Sequence, residues 1–199
     1  MEGKQMELFQ VSKYLDVEHT IAKYMFDPVE NPWEVLPSIS IFIEQLGPML
    51  PSEEFEQRGS NVWISKSAVI APTAYIGGPC IIDAGTEVRH CAFIRGSAII
   101  GKNCVIGNST EVKNSIIFDE VQIPHYNYVG DSILGFRSHL GAGAITSNVK
   151  NDKSNVEVNF ALGKMDTKLR KFGAIVGDFS QDRKSTRQNS SHSRRARMP

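Results

Sequence analysis

Long apolar runs are missing from this chain: none approaches the roughly 18 residues of a membrane-spanning helix, and the start, MEGKQMELFQ, has no apolar stretch behind a basic one. A cytoplasmic protein without a membrane partner is expected. Cysteine is scarce and odd in number, three in 199 residues, which argues against a disulfide framework. The five histidines show no paired-ligand spacing; His90, His125 and His139 are 35 and 14 residues apart, so no metal site is expected. Net charge is zero, but only because residues 182–199 carry six Lys/Arg and one Asp; the remainder holds 16 basic and 21 acidic residues, a net of −5. That body has neither the basic stripe nor the stacking aromatics of a nucleic-acid binder.

What the chain has is a period of six. Ile64, Ile70, Ile76, Ile82, Val88, Ile94, Ile100, Ile106, Val112 and Phe118 are all large and apolar. Four residues after each comes a second register that is mostly small, including Ala68, Ala74, Cys80, Thr86, Ala92, Ala98, Cys104 and Thr110. A period of six does not fit 3.6 residues per helical turn; being even, it keeps one strand face inward throughout, as stacked coils of a parallel β-helix require. At three hexads per turn, these positions make a little over three coils, rising about 4.8 Å each. Cys80 and Cys104, in the small register, are expected to be buried thiols.

The pattern divides the chain. Residues 1–59 lack the hexad and are expected to form a helical cap or arm. Asp16 is placed to cap a helix from Val17 to Phe26, ended by Pro28, and Ile39, Phe42, Ile43 and Leu46 recur at helical spacing. Phe26, Trp33 and Phe42 imply that this arm docks, most simply on the open edge of the first coil. Residues 60–181 form the β-helix, with a phase break where Pro124 replaces an aliphatic and a polar inserted loop at about 149–172. A loop of that length in a solenoid points to function. The hexad returns at Ala174–Asp178. Residues 182–199 read as a disordered basic tail and an artefact, since DRKSTRQNSSH resembles translated sequencing-adapter DNA; on that reading the natural chain carries further coils after about Gln181.

His125 is the leading catalytic candidate by position and chemistry. It stands beside the phase break, among Tyr126, Asn127 and Tyr128, and imidazole is the general base most easily used near neutral pH; a solvated corner histidine is the competing reading. Asp119 and Glu120 fit surface charge better than catalysis, and Cys91, off register, lacks a paired acid–base group.

IRGSAIIGKNCVIGNSTEVKNS followed by PHYNYVGDSILGFRSHLGAGAITSNVKND resembles the left-handed β-helix acetyltransferase domain of the bifunctional N-acetylglucosamine-1-phosphate uridyltransferase / glucosamine-1-phosphate N-acetyltransferase family, over about Arg89 to Asp152. The resemblance implies a mainly β fold, a left-handed parallel β-helix with a short N-terminal helical segment, assembled as a homotrimer with sites between subunits. It implies that His125 is the general base for attack of a sugar amine on acetyl-CoA, the co-substrate. It also implies that Arg95 and Lys113 grip a sugar phosphate, that Tyr128 completes the sugar pocket, and that Ala142 and Asn148 contact the acyl donor, where an amide can stabilise the thioester oxyanion. Arg95 and Lys113 are eighteen residues apart, one coil, so periodicity agrees with the resemblance on that pair.

Two positions depart from the family pattern: His139 replaces a sugar-pocket asparagine, and Val149 replaces the tyrosine after the donor-site asparagine. No counterpart of the family's nucleotidyltransferase domain is seen. Its later coils, which hold much of the CoA pocket, are also missing, so the chain as given is expected to be inactive or nearly so. The function expected is N-acetylation of an amino-sugar phosphate or nucleotide sugar. The alternative is a non-catalytic sugar-nucleotide-binding or oligomerisation module associated with a pyrophosphorylase.

Overall fold

The computed structural model describes residues 9–160, 163–181 and 187–188. Branched aliphatics at every sixth position favour short extended segments whose inward faces coincide, and these stack as the coils of a parallel β-helix. On the first face Val62–Ser65, Cys80–Ile82 and Ala98–Ile100 pair in parallel, with Ile64, Ile82 and Ile100 in register. The second face stacks Val69–Ile70, Glu87–Val88, Val105–Asn108 and Gln122–His125. The third stacks Tyr75–Ile76 and Phe93–Ile94 beneath the opening residues of Glu111–Ile117 and Tyr128–Leu134, then Ile145–Thr146. In the small register Thr86 donates to the Gly101 carbonyl (2.6 Å) and the Cys104 thiol to that of Phe118 (3.0 Å). Burial pushes the thiols of Cys80 and Cys104 up to about 12.

The repeat slips earlier than Pro124 suggests. Val112 still pairs eighteen residues back with Ile94, but Ile117 pairs with Ile100, seventeen back, so one residue is lost at the corner between them. From there the inward row is Ile117, Ile123 and Val129, and Phe118 leaves it to pack edge-on against Phe26, ring centroids 5.8 Å apart.

The N-terminal arm also differs from expectation. Asp16 does cap, accepting from the Glu18 amide, but it opens a 3₁₀ turn at Val17–His19 instead of an α-helix, and a second such turn stands at Lys23–Met25. The β-branched Val17, Thr20 and Ile21 restrict side-chain freedom in a helix, and the path tracks the surface beneath instead. Among the described residues the α-helix is α1, Ile39–Leu46. The arm's last segment, the strand Phe55–Gln57, covers the open edge of the first coil, antiparallel to Val62–Ser65, but its helical part does not sit there. The arm climbs the first face: α1 packs on Cys80–Ile82, Ala98–Ile100 and Glu111–Ile117, and the turn Pro32–Ser38 on Tyr128–Leu134. Under it the outward-facing Ile81, Ile99, Ile116 and Ile133 are fully buried, whereas the outward Val69 and Tyr75 of the other faces are 63% and 62% exposed. Asp178 ties the arm to the last coil by accepting from the amides of Asp16 and Phe136, each at 2.7 Å.

The polar excursion is a hairpin rather than an irregular loop. Glu157–Phe160 pairs antiparallel with Gly163–Asp166, and Phe160 meets Phe9 of the arm edge-on. The chain then re-enters through Lys171, bridged antiparallel to Val149, and Ile175–Val176, which stacks on Ile133–Leu134. Of the C-terminal tail, Arg187–Gln188 forms a short strand beside Ile145–Thr146; the rest lies outside the described residues.

Candidate functional site

The third face positions most of the sequence-selected residues. Its outward positions form two columns, Tyr75, Phe93, Glu111, Tyr128 and Ile145 in one, and Gly77, Arg95, Lys113 and Gly130 in the other. Arg95 and Lys113 therefore sit one above the other at the corner that leads to the first face. Each meets a carboxylate: Arg95 Nη1 lies 2.7 Å from Glu111 Oε1, and Lys113 Nζ 3.2 Å from Asp131 Oδ2. The Glu111 carboxylate beside it raises the Arg95 pKa.

Directly above Lys113 the column has Gly130, and the ring of Tyr128 occupies the space. A Cβ at Gly130 would stand 2.5 Å from Tyr128 Oη and 2.7 Å from Cζ. The tyrosine hydroxyl accepts from Asn148 Nδ2 at 3.0 Å. Asn148 also donates to Asp131 Oδ2, and Asn114 donates to Asp131 Oδ1 at 2.8 Å. Asp131 lies in the PHYNYVGD segment that carries the resemblance but was given no role in the site from the sequence. Its side chain is 5% exposed and bridges the coil below to the coil above.

His125 lies at the other end of this face, on the corner shared with the second. Its amide donates to Asn127 Oδ1 (3.0 Å), and its carbonyl accepts from Gly143 (3.0 Å), which places Ala142 one coil above it. Asn127, also unselected in the sequence, is 3% exposed and donates to the Gly141 carbonyl at 2.7 Å. Tyr126 turns the corner at φ +53°, as Cys91 and Ser109 do at +59° and +54° in the coils below. A bulky residue in the left-handed region is strained. The His125 imidazole is exposed and makes no hydrogen bond among the described residues.

The structure thus brings Arg95, Lys113, Tyr128 and Asn148 together and places His125 with Ala142 at the opposite end of the same strands. His139 stands apart on the second face, bridged between Gln122 and Gln181. Lys171, missed in the sequence, is an exposed cation set against Val149, and the Phe172 amide beside it donates to the Asn148 carbonyl (3.0 Å). A cavity of about 850 Å³ between arm residues 10–17, residues 26–30 and Asp178 contains none of these groups. Among the described residues no cluster of three or more His, Cys, Asp or Glu could hold a metal, and no helix is long and apolar enough to cross a membrane.

A family model described as the GMPPB C-terminal domain matches residues 76–162. "Bifunctional protein GlmU" of Methanococcus maripaludis is 39% identical over 175 residues, 86% of this chain and 41% of that protein. The protein of the same name in Methanocaldococcus jannaschii is 34% identical over 183 residues, 89% of this chain and 45% of that one. This chain is similar to the GlmU proteins over most of its own length. It spans about two fifths of the length of those it matches. "Bifunctional sugar-1-phosphate nucleotidylyltransferase/acetyltransferase" of Sulfurisphaera tokodaii is 37% identical over 65 residues, 33% of this chain and 16% of that protein. Among solved structures, the acetyltransferase domain of PglB from Neisseria gonorrhoeae aligns with 17% identity and a TM-score of 0.32, covering 54% of this chain and 49% of that one.

Proposed function

We propose that the third face is the acceptor site of an acyltransferase that N-acetylates an amino-sugar phosphate or nucleotide sugar with acetyl-CoA, in the cytoplasm and as a homotrimer. The observation that carries this reading is the stacking of Arg95 and Lys113, with the Tyr128 ring above them, at one end of a face that has His125 at the other. The carboxylate pairs do not close the site to a phosphate, because an ammonium has three N–H donors and a guanidinium five, and one of each is used. His125 to Gly130 is five residues, at most about 18 Å of extended chain, and long cationic side chains shorten the remaining gap to the scale of a sugar phosphate. His125 would take the proton from the sugar amine as its nitrogen bonds to the acetyl carbon and the C–S bond breaks, the CoA thiolate leaving to be protonated. The acetyltransferase named in the Sulfurisphaera tokodaii relative supports the same class.

One observation favours a non-catalytic sugar-nucleotide-binding module instead: the His125 imidazole has no orienting partner among the described residues. The two readings separate in one assay. CoA thiol is measured colorimetrically with glucosamine 1-phosphate and acetyl-CoA, for this chain and for a chimera that adds the C-terminal coils of a GlmU relative. Turnover in the chimera, lowered roughly 10² to 10⁴-fold by His125→Ala, is the expected result. Ligand-induced stabilisation with no thiol release from either protein sinks the acyltransferase reading and leaves the binding module.

A further inference from the structure

We propose that Asp131 is a positioning residue that sets the hydrogen-bond polarity of the third-face site. An ionised carboxylate only accepts, and Asp131 receives Lys113 Nζ (3.2 Å), Asn114 Nδ2 (2.8 Å) and Asn148 Nδ2, while its own backbone carbonyl accepts from Gly173 (2.8 Å). It is 3% exposed and stands at φ +51°, a region aspartate tolerates better than most residues. Because Lys113 can only donate, the carboxylate is pinned from below, and the group above must also present a donor. That requirement fixes the Asn148 amide without appeal to which terminal atom is nitrogen: its NH₂ turns toward Asp131.

For a ligand this polarity has two consequences. Asn148 Nδ2 has two hydrogens, one directed to Asp131 and the other to Tyr128 Oη (3.0 Å), so neither is left to stabilise a thioester oxyanion. The expectation that this amide acts as an oxyanion donor is replaced by the opposite polarity. Asn148 is half-buried, and its Oδ1, which is neither buried nor hydrogen-bonded among the described residues, is left open to accept from a ligand. Tyr128, whose oxygen already accepts, keeps its own O–H to donate. The site therefore takes a ligand with an amine or hydroxyl donor facing Asn148 and an oxygen acceptor facing Tyr128, the pattern an amino sugar offers. This match to an amino sugar rests on reading the face as an acceptor site; the polarity itself does not.

The two parts are tested separately. In ¹⁵N-labelled protein the Asn148 side-chain amide is assigned by its disappearance in Asn148→Asp, and its hydrogens should exchange with solvent at least 10-fold more slowly than those of exposed Asn151. Asp131→Gly, which keeps the left-handed backbone and removes the acceptor, should bring the two rates together. Equal rates in the unaltered chain, or slow exchange that survives Asp131→Gly, overturn the proposal. By calorimetry, Asp131→Gly should weaken glucosamine 1-phosphate binding at least 10-fold. If the unaltered chain binds no glucosamine 1-phosphate, the acceptor-site reading fails, and the exchange rates still decide the polarity. If Asp131→Gly binds normally although Asn148 is released, Asp131 positions nothing the ligand uses, and the proposal fails.

Discussion

Replacing Gly130 by alanine tests the site where its geometry is tightest. The added methyl would stand 2.5 Å from Tyr128 Oη, 2.7 Å from Cζ and 2.8 Å from Cε1, against the roughly 3.5 to 4.0 Å at which carbon atoms rest. All three atoms belong to a ring on the outer surface of a strand, so the ring can withdraw by roughly 1 Å while the backbone stays. Gly130 is not in the left-handed region, and alanine adopts its conformation without strain. Two effects on stability then oppose each other. Loss of the Tyr128–Asn148 hydrogen bond costs about 1 kcal/mol, and the stiffer unfolded chain returns about 0.4–1 kcal/mol. The denaturation midpoint should therefore hardly move. Binding of a sugar phosphate should not escape, since a hydroxyl displaced by that much no longer meets the same acceptor, a loss of about 1.4 kcal/mol or tenfold. Calorimetry on Gly130→Ala, Tyr128→Phe and the double variant measures it, with the double expected to be no worse than the worse single, because both remove one contact. Normal affinity in Gly130→Ala alongside lost affinity in Tyr128→Phe would show that the ring tolerates the methyl. Destabilisation beyond about 3 kcal/mol would show that the backbone, not the ring, gave way.

Ile99→Ala should cost about 3–4 kcal/mol in chemical denaturation, the transfer of three carbons plus an unfilled cavity beneath α1, whereas Val69→Ala, outward on an uncovered face, should stay within about 0.5 kcal/mol. Similar costs for the two would mean that the arm is not docked on the first face. One thiol per chain, Cys91, should react promptly with an aromatic disulfide in native protein and all three after denaturation, because Cys80 and Cys104 are buried with thiols pushed up to about 12; fast native reaction of more than one thiol would contradict the coil packing.

Periodicity made the coils legible because an inward side chain every sixth residue is a demand of the backbone itself. The slip at the corner after Val112 was hidden by a coincidence of chemistry: Ile117 and Phe118 are both large and apolar, and only the docked arm distinguishes them, by taking Phe118 against Phe26. The docking surface was legible in principle. The residue before each inward position is exposed or half-buried on two faces and varied there, but on the first face it reads Trp63, Ile81, Ile99, Ile116 and Ile133, an apolar row with a spacing of one coil. A row of that kind has to be covered, and an apolar residue recurring once per coil in the outward register, eighteen residues apart as far as Ile99 and seventeen beyond it, is a signal of the same kind as the six-residue period in the inward one.

The site divides along the same line. Arg95 and Lys113 could be paired from sequence because their spacing is one coil, and backbone register alone stacks them. Asp131 could not, because nothing periodic marks it: the positions stacked on it, Asn114 and Asn148, are each seventeen residues away, on the shortened coil that the sequence does not disclose. The lost residue that displaces Phe118 therefore also brings Asn114, Asp131 and Asn148 into one column. On an eighteen-residue count Asp131 would fall beside Lys113 and Val149 instead, and no amide would meet the carboxylate from either side. The polar half of the site thus depends on the one irregularity in the repeat, which is where a reading based on regularity has least to say.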